Sequence, residues 1–213
     1  MSSATERAYE IIRDAILNGD YPGGYRLREE DLAIRIGLSR TPVREAIRRL
    51  GVEGFINVKP RSGAVVSSWS LEQVEDLFEI RAILEGYGAF LAASKAKPSE
   101  VNELEAICLE MEKLVENKSK AFIESFSVSN KKLHTRILEM SGNQRLEQMA
   151  TSLMDLSLIM RMYGGFSESR IIRSCSDHRD IISAMRSNNP IWAESIMRSH
   201  ILSSVELYRE DVK

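Results

Sequence analysis

Only two cysteines and three histidines occur among 213 residues, and aromatic residues make up 7%. Cys108 and Cys175 fall in separate helical stretches, which excludes a disulfide framework and suits two buried thiols in a reducing compartment. No apolar run approaches the ~20 residues needed to cross a bilayer. Met1 to Glu10 has no apolar core of the kind an export signal requires, so a cytoplasmic location is expected. An excess of one charge is also missing: 29 Lys+Arg face 31 Asp+Glu, for a net charge of -2. There is no internal repeat and no low-complexity tract. A composition of 43% apolar and 28% charged residues excludes a disordered chain.

What charge there is lies unevenly. Residues 1–68 carry 11 Lys+Arg against 9 Asp+Glu, net +2, and residues 69–213 carry 18 against 22, net -4. Between Arg35 and Gly63, seven basic residues (Arg35, Arg40, Arg44, Arg48, Arg49, Lys59, Arg61) meet two acidic ones (Glu45, Glu53). Such a strip is either a phosphate-binding footprint or a solvated helix face, and charge alone does not choose between them.

Hydrophobic spacing supplies the elements. Ala8, Ile11, Ile12, Ala15 and Ile16 recur at helical period, with Ser3 or Thr5 as the cap. Turn residues Asn18-Gly19-Asp20 and Pro22-Gly23-Gly24 follow. A short helix is expected over Arg28–Ile36, closed by Gly37. A third starts at Thr41-Pro42, a cap followed by a proline in the first helical position, and runs to about Glu53. Two short strands, Phe55–Lys59 and Ala64–Ser67, flank a hairpin tip at Pro60-Arg61-Ser62-Gly63. Three helices and a hairpin make the plan of a winged helix-turn-helix. After Ser68 only helical periods remain: about 71–95, 98–117, 119–141, 144–163, 167–186 and 190–208. The fold class is therefore mainly α. A winged helix-turn-helix over 1–68 precedes an antiparallel all-α bundle of about six helices over 69–213.

In a helix-turn-helix the second helix of the pair enters the major groove, and its N-terminal residues reach base edges. Here that stretch is Ser39-Arg40-Thr41-Pro42-Val43-Arg44. Arginine matches guanine O6 and N7 in a bidentate manner. Ser39 and Thr41 suit phosphate, as do N–H groups at the helix start near Pro42. Arg48 and Arg49 extend the strip, and Arg28 can clamp the backbone. At the wing, Gly63 permits close approach and Arg61 can enter a minor groove.

These residues carry a resemblance. Arg26-Leu27-Arg28-Glu29-Glu30-Asp31-Leu32-Ala33, Gly37-Leu38-Ser39-Arg40-Thr41-Pro42-Val43-Arg44-Glu45-Ala46, Leu50…Glu53-Gly54 and Pro60-Arg61-Ser62-Gly63-Ala64 resemble the GntR family of bacterial regulators. Ile80-Arg81-Ala82-Ile83-Leu84-Glu85, Leu133-His134, Ser141-Gly142-Asn143 and Asp177-His178 are similar to the FCD ligand-binding domain of the FadR subfamily, in its shorter, VanR-like form. The resemblance implies a homodimer on a pseudo-palindromic DNA operator, acting as a repressor, and a small-molecule effector that is a carboxylic acid.

His134, His178 and His200 lie on three different helices, and by themselves read as unrelated, partly buried polar residues. The FCD pattern places a metal-binding Asp four residues before a first histidine, with two more histidines later, so it implies a divalent transition metal, zinc or nickel. The three histidines match. The Asp position is Asn130, a neutral and weaker ligand on the same helix face as His134. The competing reading is a metal-free pocket in which the histidines hold the effector. Arg81 matches an arginine that pairs with an effector carboxylate in this family; otherwise it forms an ion pair with Glu79 or Glu85. Two other functions stand against a ligand-responsive regulator. One is a metal-dependent enzyme, for which Asp177 is the only carboxylate beside the histidines. The other is an architectural DNA-binding protein without an effector. The methionines Met149, Met154, Met160 and Met162 read as core.

Overall fold

The computed structural model describes residues 3–59, 63–68, 70–117, 122–161 and 168–205. The chain divides into two compact units, Met1–Ser70 and Leu71–Lys213.

The first unit holds α1 (Ala4–Leu17), β1 (Arg26–Leu27), α2 (Glu29–Ile36), α3 (Arg40–Val52), β2 (Ile56–Lys59) and β3 (Gly63–Val66). Ser3 caps α1, its hydroxyl accepting from the Glu6 amide at 3.1 Å. The α2–α3 turn is set by Gly37, whose φ of 72° is left-handed; from there the Gly37 and Leu38 amides both donate back to the Ala33 carbonyl at 3.0 Å. α3 begins two residues earlier than its sequence suggests, at Arg40, with Ser39 at the cap. Pro42 then sits in the first turn, where amides have no intrahelical partner, so it disturbs nothing. The two-residue strand β1 has no counterpart in the sequence reading. It pairs antiparallel with β3, Arg26 opposite Val65, and the sheet order is β1-β3-β2. Ala8, Ile12, Val43, Ala46 and Leu50, all fully buried, join Ile47, Ile56 and Val66 in the core under α3. Each large aliphatic among them contributes about 1.5–3 kcal/mol of transfer free energy.

The second unit is a bundle of α4 (Leu71–Ala93), α5 (Pro98–Asn117), α6 (Phe122–Met140), α7 (Gln144–Arg161), α8 (Glu168–Arg186) and α9 (Pro190–Ser203). α4 is its axis, packed against α6, α7, α8 and α9. Small residues let the neighbours come close. A Cβ on Gly86 would sit 2.5 Å from Arg198 Cγ of α9, and one on Gly88 would sit 2.7 Å from Leu138 Cδ2 of α6. The Ser141-Gly142-Asn143 run is the α6–α7 turn: the Ser141 hydroxyl accepts from the Asn143 amide, and Asn143 Oδ1 accepts from the Leu146 amide. Asn189 caps α9 through the Trp192 amide, with Pro190 at the first helical position. Leu138, Leu146, Ala150 and Met154 form one buried cluster. Met149 departs from the expected core placement, at 57% exposure. The Met160 side chain and Met162 lie outside the described residues.

Cys108 and Cys175 are both buried free thiols. Burial, with Glu112 nearby, pushes Cys108 up to about 12 and Cys175 to about 11. Among the described residues no helix is long and apolar enough to cross a membrane.

Candidate functional sites

Arg40, Arg44 and Arg48 recur every four residues along α3, and all three side chains are more than half exposed. Each meets a carboxylate: Arg40 Nη1 lies 2.8 Å from Glu30, Arg44 Nη2 3.0 Å from Glu29, and Arg48 Nη1 3.5 Å from Glu45. A single exposed contact such as that of Arg48 with Glu45 contributes little to stability and leaves the arginine available to phosphate, whereas Arg44 is held by a bidentate fork. Ser39 and Thr41 are exposed at the start of the same helix. Arg28 is the residue before α2, in extended conformation. Arg49 leaves this strip. It turns toward α1, its guanidinium 3.7 Å from the Tyr9 ring centroid, bonded to Glu6 and Glu53. One residue of helix rotates a side chain by about 100°, enough to move Arg49 from the outer face to the interhelical one. At the wing, Gly63 has φ 83° and lies beside the Arg26 guanidinium, 3.7 Å from where its Cβ would be. Arg26 is a wing residue that sequence reasoning passed over, because its strand is too short to show a period. Arg61 lies outside the described residues.

In the helical unit, α6, α8 and α9 bring His134, His178 and His200 together. Their exposures are 1%, 0% and 3%, and one ring nitrogen from each lies within 4.8 Å of the others. His134 Nε2 is 3.3 Å from His178 Nε2. The outer nitrogens are held by carboxylates. His134 Nδ1 lies 2.6 Å from Glu85 Oε2, and His200 Nδ1 lies 3.2 Å from Asp177 Oδ2. An ionised carboxylate only accepts, so Nδ1 of His134 donates to Glu85, and Nε2 is the ring nitrogen that faces the cluster.

Arg81 completes the arrangement from α4. It is 3% exposed and forks onto Glu85, with Nε 2.8 Å and Nη2 2.7 Å from Oε1. Burial alone would raise the Glu85 carboxyl, but Arg81 and His134 outweigh it and hold it down at about 2. The expectation that Arg81 faces an effector carboxylate therefore meets a different arrangement: two of its donors are engaged with a carboxylate of its own helix. Glu85, which sequence reasoning named only as an ion-pair option, is the residue that links Arg81 to His134. Asn130 is 6% exposed, one turn before His134 on α6.

This donor set fits a divalent transition ion. Two imidazole nitrogens on one metal, each about 2.0–2.1 Å from it, stand about 3.0–3.4 Å apart, and the His134–His178 separation of 3.3 Å falls there. A carboxylate behind a ligating imidazole fixes its tautomer and orientation, which is the disposition of Glu85 and Asp177. Such an ion would supply Lewis acidity and open positions for a chelating oxygen ligand.

Known proteins agree with both units. The model for bacterial regulatory proteins of the gntR family matches residues 4–66, and that for the FCD domain matches 76–203. The HTH-type transcriptional regulator YdhC of Bacillus subtilis (strain 168) is 27% identical over 90% of this chain and 85% of its own. The HTH-type transcriptional repressor GlaR of Escherichia coli (strain K12) is 24% identical over 95% of this chain and 94% of its own. The solved structure of E. coli McbR/YncC has the same fold, with a TM-score of 0.74 at 20% identity over 99% of each chain. The two curated relatives and the gntR family are transcriptional regulators, not enzymes.

Proposed function

The chain belongs to the gntR family of bacterial regulatory proteins and carries an FCD domain, and we propose that it is a repressor whose hold on a DNA operator is set by an organic acid bound beside a metal ion in the helical unit. The reading of DNA falls to Arg40 and Arg44 at base edges. Ser39, Thr41, the helix start at Pro42, Arg48 and Arg28 take phosphates, and the wing contributes Gly63 and Arg61. A homodimer places two such helices on a two-fold operator.

The observation that carries the effector site is the buried histidine triad with carboxylates behind two of its rings. Three imidazoles at the centre of a bundle cost desolvation that apolar side chains would not, so packing alone does not account for them. His134, His178 and His200 would hold zinc or nickel, with Asn130 as a neutral fourth donor. Glu85 and Asp177 orient the rings, and Arg81 keeps Glu85 ionised and in place. The charge count favours an anionic effector. Imidazole ligands and Asn130 add no charge to a bound ion, Glu85 is matched by Arg81, and Asp177 offsets one charge of a divalent ion, so positive charge is left for a carboxylate to offset. The effector acts by binding one arrangement of the bundle better than another.

Elemental analysis of protein purified without chelators, paired with operator binding, tests this. One transition metal per chain is expected, lost in His134→Ala and His178→Ala, with DNA binding retained in both. Di- and tricarboxylic acids should then shift operator affinity of the loaded protein only. No metal uptake after zinc and nickel are offered, together with no response to any acid, would sink the proposal.

A further inference from the structure

We propose that Glu29 is a specificity-determining residue for DNA recognition: its carboxylate presents the Arg44 guanidinium end-on to a guanine and tethers Arg40 within reach of the neighbouring base pair. The inference rests on the reading of α3 as the recognition helix. Glu29 opens α2, so its backbone is anchored by a helix start. Its two oxygens take the Nε edge of Arg44: Nε lies 3.2 and 3.1 Å from them, and Nη2 lies 3.0 Å from Oε2. The same Oε2 is 3.5 Å from Arg40 Nη2, while Arg40 Nη1 donates to Glu30 at 2.8 Å.

A guanidinium has five N–H groups in a fixed fork. With Nε–H and the adjacent Nη2–H held by Glu29, the remaining Nη1–H and Nη2–H pair points along the side chain's long axis. That pair is left free to fork onto guanine O6 and N7. A guanidinium already fixed in this pose loses less side-chain freedom on binding. One oxygen lies within 3.5 Å of both guanidiniums, so the two arginines share a single counter-charge and are kept near each other. The carboxylate also repels phosphate, which keeps Arg44 from drifting onto the DNA backbone. Arg48 differs. Among the described residues it meets Glu45, at 3.5 Å, and its side chain is 71% exposed, as suits a phosphate contact. Glu29 is itself ionised throughout the neutral range, because the hydrogen bond from Arg44 holds its carboxyl below the usual carboxylate value.

The test begins by selecting an operator from a random duplex library with the intact parent chain. Parent, E29Q, E29D, R44K and E29Q/R44K are then titrated on that operator and on a scrambled duplex at several salt concentrations. E29Q should lower the operator-to-scrambled affinity ratio about 10-fold, with scrambled binding unchanged or tighter. E29D keeps the charge but withdraws the fork by one methylene, and should lose the ratio as E29Q does. In the R44K background, the loss caused by E29Q should shrink to the share carried through Arg40. A parent-like ratio in E29Q, or in E29D, overturns the positioning role. So does an E29Q loss that persists undiminished in R44K, since Glu29 would then not act through Arg44. A parent chain that selects no sequence removes the recognition-helix reading, and the role of Glu29 with it.

Discussion

Replacing Glu85 by Gln changes one oxygen to an amide nitrogen and removes one charge. Its surroundings set the magnitude. Arg81 is 3% exposed and Glu85 1%, and the two meet at 2.7 Å, so the substitution leaves a guanidinium inside the bundle without its counter-charge. Breaking a buried pair in this way costs about 3–5 kcal/mol. For a domain of this size each kcal/mol lowers Tm by about 2–4 °C, so thermal unfolding should fall by about 10 °C. The control is the double variant Arg81→Met/Glu85→Gln. It removes both charges and leaves an amide oxygen to accept from His134 Nδ1, so most of the loss should return, less about 0.5–2 kcal/mol for the lost contact of Arg81 with the Phe78 ring, now 5.0 Å away. Urea unfolding of the four proteins in the cycle, metal-stripped, gives the coupling directly. A coupling energy below ~1 kcal/mol, or a single variant as stable as the parent, would refute the buried-charge argument. Independently, metal affinity of the single variant should drop about 10–100-fold, as it does when the group that orients a ligating imidazole is changed.

Asn130→Asp should tighten zinc or nickel binding, read by competition with a chromophoric chelator, because a carboxylate replaces a neutral donor; unchanged affinity would mean that position 130 is not a ligand. Arg44→Ala should cost about 1–3 kcal/mol on the selected operator and relax preference at one base pair; uniform weakening on all duplexes would make it a phosphate contact. Gly88→Ala gains about 1 kcal/mol in helix propensity but forces a Cβ toward Leu138, at a cost of about 1–3 kcal/mol; Leu138 is 1% exposed within a packed cluster, so the urea midpoint should fall. Glu112, bonded to Arg179, has its carboxyl held below the ordinary value of 4.5. Its stabilising contribution is therefore full above that value and is lost as pH falls through the folded one; Glu112→Gln should flatten the acid limb of stability against pH, and an identical acid limb would contradict this.

Local signals made most of the helices legible. Ser3, Gly37, Gly142 and the Asn189-Pro190 pair each satisfy or release backbone groups within a turn of themselves, so their effect is written in adjacent residues. β1 was not legible, because two residues carry no period and its partner Val65 lies far along the chain. The cap of α3 was misplaced by two positions, since Ser39 and Thr41 are both good caps and a proline is tolerated anywhere in the first turn. The histidines were visible as residue types, but only family resemblance gathered them, because three helices far apart in sequence supply one each. The least legible contact was that of Glu85 with His134, separated by 49 residues. An i,i+4 pairing of Arg81 with Glu85 reads from sequence as an ordinary surface bridge, and only the packing around α4 turns it inward.

The two buried thiols have a practical corollary. Alkylation proceeds through the thiolate, and Cys108 and Cys175, shifted to about 12 and 11, supply almost none at neutral pH. A cysteine introduced at an exposed position such as Ile191, 72% exposed on α9, would react far ahead of them. Maleimide fluorophores or spin labels can therefore be placed on this chain with its native cysteines left in, and the labelled protein keeps the packing between α5 and α8 intact.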